Sequence, residues 1–72
     1  MNNVTFTVRA VVKGESCEVT MHQPRCTWDG VNAHERNEIL EACRIRFANW
    51  ARKEYGVRLG DEERAALHIT VD

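Results

Sequence analysis

Three cysteines and three histidines are the side chains of this sequence best suited to metal or nucleophilic chemistry. They are Cys17, Cys26, Cys43, His22, His34 and His68. No pair of them stands at the Cys-x2-Cys or His-x3-His spacing that closed structural zinc sites usually show. We therefore expect neither a bound metal nor a cofactor.

Cys26 is the only cysteine that is a candidate catalytic nucleophile. It falls in a connecting segment near His22 and His34, and histidine is a common base for a thiol. Glu62 and Glu63 fit better as first-turn charges of a short helix than as an acid/base pair. The sequence has no glycine-rich phosphate loop, Gly-x-Ser-x-Gly or His-Glu-x-x-His motif. We expect no enzymatic activity, with a small enzyme or redox protein that uses Cys26 as an alternative.

The stretch RIRFANWARK, residues 44–53, combines an indole with four basic side chains. Basic residues with interleaved aromatics can bind nucleic acid. When the stretch is wound as a helix at about 100° per residue, Trp50 falls on the same arc as Cys43 and Phe47, which indicates packing. The basic side chains scatter around the helix, so no single stripe follows a phosphate backbone.

The opposite side of this predicted helix carries one apolar residue within a polar and basic rim. We call this surface the outer helix face; its members are Ile45, Arg46, Asn49, Arg52 and Lys53. A single exposed isoleucine is ordinary on a monomer, yet an apolar centre with an arginine rim is also how small interfaces are built. We predict that the outer helix face binds a host or cognate protein.

The composition is that of one small folded domain, residues 1–72, with 43% apolar and 29% charged residues. A net charge of -1 gives no overall field toward phosphates or a membrane. No run approaches the roughly eighteen apolar residues of a membrane span. Three cysteines cannot all pair, and no apolar leader precedes Val4, so we expect reduced thiols in the cytoplasm.

In its size and its lack of catalytic motifs the chain resembles short proteins of phages and mobile elements that bind and block a host protein. That resemblance implies an inhibitor or adaptor. The alternative is an accessory protein that binds nucleic acid through a basic patch assembled by the fold. Its candidate residues are Arg9, Lys13, Arg44, Arg52, Lys53 and Arg58.

Two segments with period-two alternation of apolar and polar residues, 4–12 and 16–22, predict β-strands. A two-residue turn at 13–14 would join them as a hairpin. In that register the apolar faces coincide and Arg9 lies opposite Glu18. Residues 22–30 predict a connection, in which Trp28 covers one end of the core.

A long helix is predicted over residues 33–55, since Asn32 and Glu35 have the form of a capping box and Gly56 can end the helix. A single helical turn capped by Asp61 and a last strand, 67–71, follow. The expected fold class is α+β, a ββαβ chain with a three-stranded antiparallel sheet in order 2-1-3 against one long helix. Segments 16–22 and 67–71 would be the sheet edges, where a homodimer or a partner strand could pair.

Overall fold

The computed structural model describes residues 2–72, over which the chain forms three strands and three helices. In chain order they are β1 (Asn3–Val12), β2 (Glu15–Pro24), α1 (Arg25–Asp29), α2 (Ala33–Tyr55), α3 (Asp61–Ala65) and β3 (His68–Val71). Both β2 and β3 pair antiparallel with β1, so the sheet order is β2-β1-β3. The long helix α2 packs on one face of the sheet. This arrangement confirms the predicted α+β fold.

A tight turn sets the register of the β1–β2 hairpin. Lys13 and Gly14 have φ values of 51° and 78°, and positive φ at both central residues is the signature of the type I′ turn, whose twist matches that of the strands. The predicted pairing is confirmed, with Arg9 opposite Glu18. On the face of the sheet away from α2, Arg9 Nε donates to Glu18 Oε2 at 2.6 Å.

Both ends of α2 lie where the capping residues predict them. The Asn32 side chain accepts a hydrogen bond from the Glu35 backbone N–H at 2.9 Å. At the other end Gly56 adopts the left-handed conformation, and its N–H donates to the Arg52 carbonyl at 3.0 Å. With 23 residues, α2 is about 35 Å long at ~1.5 Å per residue.

The segment predicted as a plain connection contains the short helix α1. Its Trp28 is half-buried and meets Phe6 edge-on, with ring centroids 5.1 Å apart. The Arg36 guanidinium lies 4.8 Å from the centroid of the Trp28 ring, and Arg36 Nε donates to the Trp28 carbonyl at 3.1 Å. Trp28 therefore packs against the core, as the sequence predicts.

The predicted cap of the last helical turn is wrong by one residue. Gly60, and not Asp61, precedes α3 as its N-cap. The Gly60 N–H donates to the Glu63 carboxylate at 3.3 Å. A side chain from within the helix therefore provides the hydrogen bond at the end that Asp61 was expected to cap. Asp61 is instead the first residue of α3 and accepts from the Arg64 guanidinium at 3.3 Å.

The core lies between the inner face of the sheet and α2. Its fully buried side chains include Val4, Phe6 and Val8 of β1 and Phe47 of α2. The other face of the sheet is open to solvent, where Val11 is 70% exposed. No helix within residues 2–72 combines the length and apolar character needed to cross a bilayer.

Replacing Phe47 tests this core directly. Phe47→Ala should lower the free energy of unfolding by about 3–5 kcal/mol, because a fully buried aromatic ring is removed and leaves a cavity. Asn37→Ala, an exposed change on the same helix, should shift it by less than ~0.5 kcal/mol. Urea unfolding followed by circular dichroism measures both; equal losses would contradict the assigned core.

Candidate functional site

The outer helix face lies on the side of α2 that is turned away from the sheet. All five of its residues are exposed, and Ile45 is the apolar one, with 44% of its surface accessible. Positions 45, 49 and 52–53 follow one another at spacings of three to four residues, so their side chains form one continuous strip. The structure thus brings the sequence-predicted site residues together on one surface.

The positive charges of the outer helix face are uncompensated. Arg46, Arg52 and Lys53 form no ion pair within 4 Å among residues 2–72, whereas the arginines that do form such pairs lie elsewhere. Those paired arginines are Arg9 with Glu18, Arg44 with Glu41, and Arg64 with Glu41 and Asp61. The basic charge of this face is therefore not neutralised by an ion pair within residues 2–72.

A groove of about 380 Å³ runs beside the outer helix face, between α2 and the edge strand β2. Ile45 and Arg46 line its helix side, and Met21 lines its strand side. The buried Cys43 thiol also borders this groove; burial raises its pKa, against the lowering effect of the positive charges of Arg46 and Arg44. Cys43 is consequently a neutral thiol of the groove wall at physiological pH.

A smaller pocket of about 160 Å³ lies on the opposite flank of the outer helix face. It is lined by Asn49 and Arg52 of α2, by Arg58 of the following loop, and by Arg64 of α3. The guanidinium of Arg64 is held at Nε by the Glu41 carboxylate at 3.2 Å. Sequence reasoning did not place Arg64 in the candidate site, because only the folding of α3 against α2 brings it beside Arg52.

The basic residues of the nucleic-acid alternative are distributed over several surfaces. Arg9 lies on the open face of the sheet, Lys13 in the hairpin turn, and Arg44 is half-buried on α2. Of this set, Arg52 and Arg58 are the two that line one pocket.

The three cysteines are free and lie in different surroundings. Cys17 and Cys43 are buried, and Cys26 is exposed on α1. Within residues 2–72 no group of three or more His, Cys, Asp or Glu side chains is placed to hold a metal ion.

A hydrogen-bonded cluster joins the end of α2 to the start of β2. The Cys17 thiol donates to Tyr55 Oη at 3.5 Å, and the Tyr55 hydroxyl donates to Glu15 Oε2 at 3.4 Å. Hydrogen bonding and charge interaction with the Cys17 sulfur raise the pKa of Tyr55 to about 12, with smaller contributions from lost hydration and from the negative charge of Glu15. Because the hydroxyl stays protonated, this cluster is a structural tie that fixes the C-terminal end of α2 on the sheet.

The candidate site is thus the outer helix face, with the groove on one flank and the arginine-lined pocket on the other. Compared with models of known protein families, with curated proteins and with solved structures, this chain matches none.

The three thiols should differ in their reactivity. In the native protein a maleimide reagent should modify Cys26 rapidly and Cys17 and Cys43 only when the chain unfolds, because the last two are buried. Peptide mass mapping after timed labelling measures the three rates. A Cys26→Ser variant should take up almost no label under native conditions; simultaneous labelling of all three cysteines would contradict the assigned burial.

Proposed function

We propose that this chain is a small non-enzymatic protein-binding module, an inhibitor or adaptor that binds a host or cognate protein through the outer helix face. The observation that carries the proposal is the exposed Ile45 at the centre of unpaired basic side chains on one strip of α2. Interfaces are built in this manner, with an apolar anchor that loses water and a charged rim that fixes orientation.

The rigidity of α2 supports this use of its outer face. The helix is capped at Asn32 and at Gly56, and its other side is anchored by the buried Phe47 and Ala51. Side chains presented on a helix that is already ordered lose less conformational entropy on binding than side chains on a loop. A partner would therefore meet five side chains whose backbone positions are already fixed.

The chemistry of the outer helix face points to an acidic partner surface with an apolar recess. Ile45 would enter the recess, while Arg46 and Lys53 on one side and Arg52 on the other would meet carboxylates. The open face of the sheet is less suited to this role, because its arginine, Arg9, is already paired with Glu18. Charge complementarity of this kind mainly raises the rate of association and weakens with added salt.

Phages and mobile elements are the proposed source of such a module, and the cytoplasm is its proposed location. The small size and the absence of catalytic motifs support the proposed source. Three free cysteines support the proposed cytoplasmic location, because a reducing compartment keeps thiols unpaired.

A capture experiment tests the proposal with charge-matched variants. Tagged chain is incubated with host lysate, with nuclease added in one arm, and the bound proteins are identified by mass spectrometry. The double variant Ile45→Asp, Arg46→Glu should weaken binding of a stoichiometric partner by at least about tenfold, as expected when an anchor and a rim charge are lost. The control Val11→Asp, Arg25→Glu makes the same change in charge at exposed positions elsewhere and should bind normally.

The outcomes answer two separate questions: where the binding site lies, and whether the partner is a protein or a nucleic acid. Full binding by a natively folded Ile45→Asp, Arg46→Glu variant would exclude the outer helix face. Loss of every partner after nuclease treatment, with binding that falls steeply as salt is raised, would instead favour the nucleic-acid alternative.

A further inference from the structure

The edge strand β2 presents a long pairing surface with few of the features that block edge pairing. It has ten residues and pairs on one side only, with β1, whereas the other edge strand β3 has four residues. Natural edge strands are usually blunted by lysine, proline, bulges or short length. In β2 there is no lysine, and its proline, Pro24, is the last residue.

The hairpin turn determines which backbone groups of β2 are free. A type I′ turn makes Val12 and Glu15 a hydrogen-bonded pair, and such pairs recur at every second residue of an antiparallel ladder. The N–H and C=O groups of the alternate residues therefore point away from β1, toward the open edge. These residues are Ser16, Glu18, Thr20 and His22.

We propose that a second copy of this chain pairs antiparallel along the free edge of β2, with Thr20 on the two-fold axis. The sheet would then continue through six strands, and both α2 helices would lie on the same face. In this register Thr20 pairs with Thr20 of the second copy, and Glu18 pairs with His22 of the second copy, twice by symmetry. Each of these residues has its backbone donor and acceptor directed at the partner strand.

The side chains of Glu18 and His22 select this register. Shifting the axis to Glu18 would set two carboxylates opposite each other, which destabilises a strand pair. Centring it on Thr20 sets each Glu18 carboxylate opposite an imidazole; Oε2 of that carboxylate accepts from Arg9 of its own chain, which leaves Oε1 for the second copy. His22 Nδ1 lies 3.2 Å from Thr5 Oγ1; with the Thr5 hydroxyl as donor, His22 Nε2 holds the ring proton and is free to donate to Glu18 of the second copy.

The groove beside β2 provides the apolar part of the same interface. It opens along this edge, where Met21 of the strand lines it, and Val19 is half-buried on the same side of the sheet. Across the proposed axis Val19 would lie opposite Met21 of the second copy. Met21 is already buried, so the gain would come from covering the exposed part of Val19, which would extend a core that is small in a chain of 72 residues.

A proline substitution on the axis tests the pairing without disturbing the hairpin. Thr20→Pro removes an N–H that points away from β1, so the β1–β2 ladder is retained. Sedimentation equilibrium over a wide concentration range should give a dimer for the natural chain and a dissociation constant raised roughly a hundredfold for Thr20→Pro, because two symmetric hydrogen bonds are lost. The control Thr20→Val keeps the N–H and should remain dimeric.

A second pair of variants keeps the test independent of the proline. His22→Glu would set carboxylates opposite each other at two places in the dimer and should weaken it by at least about tenfold, whereas His22→Gln should weaken it less. A natural chain that is monomeric at every concentration overturns the proposal, as does a Thr20→Pro dimer as stable as the natural one. Circular dichroism confirms that each variant is folded. Thr20 lies outside the outer helix face, so retention of a captured protein by monomeric Thr20→Pro separates this proposal from the protein-binding proposal.

Discussion

The inner face of β1 packs against one side of α2, and the position of every other element follows from that contact. Phe6 and Val8 of the central strand and Phe47 of the helix have no accessible surface. Because β1 is central, β2 and β3 each gain a pairing partner and a place beside the core only through it. At one end of the core, the contact between Tyr55 and Cys17 holds the C-terminal end of α2 on the sheet. At the other end, the contact between Trp28 and Phe6 holds α1 on the sheet.

One helix on one face of a three-stranded sheet leaves three surfaces for binding: the outer side of the helix, the open face of the sheet and the free edge of β2. The open face carries an internal ion pair between Arg9 and Glu18. The outer helix face keeps its basic charges free around Ile45, and the edge keeps its backbone groups free. The two proposals assign one surface to a different protein and one to a second copy of the chain.

Local signals in the sequence are sufficient to predict the hairpin and α2. The alternation before the 13–14 turn and a positive φ at Gly14 specify the register, and Asn32 and Gly56 mark the ends of the helix because each satisfies backbone groups within a few residues of itself. The short helix α1 was not predicted, because its five residues lack a helical period. The groove and the arginine-lined pocket were also beyond prediction, since residues distant in the chain, such as Met21 with Ile45 or Arg52 with Arg64, meet only after folding.

The central claim is that a partner protein binds the side of α2 opposite the core. The most direct measurement is nuclear magnetic resonance of the isotopically labelled chain, in which signals are compared before and after addition of the captured partner. Binding at the outer helix face predicts that shifts and line broadening concentrate at Ile45, Asn49 and Lys53 and are small at Thr7 and Thr70 on the open face of the sheet. Changes concentrated on that open face, with the signals of the outer helix face unmoved, would contradict it.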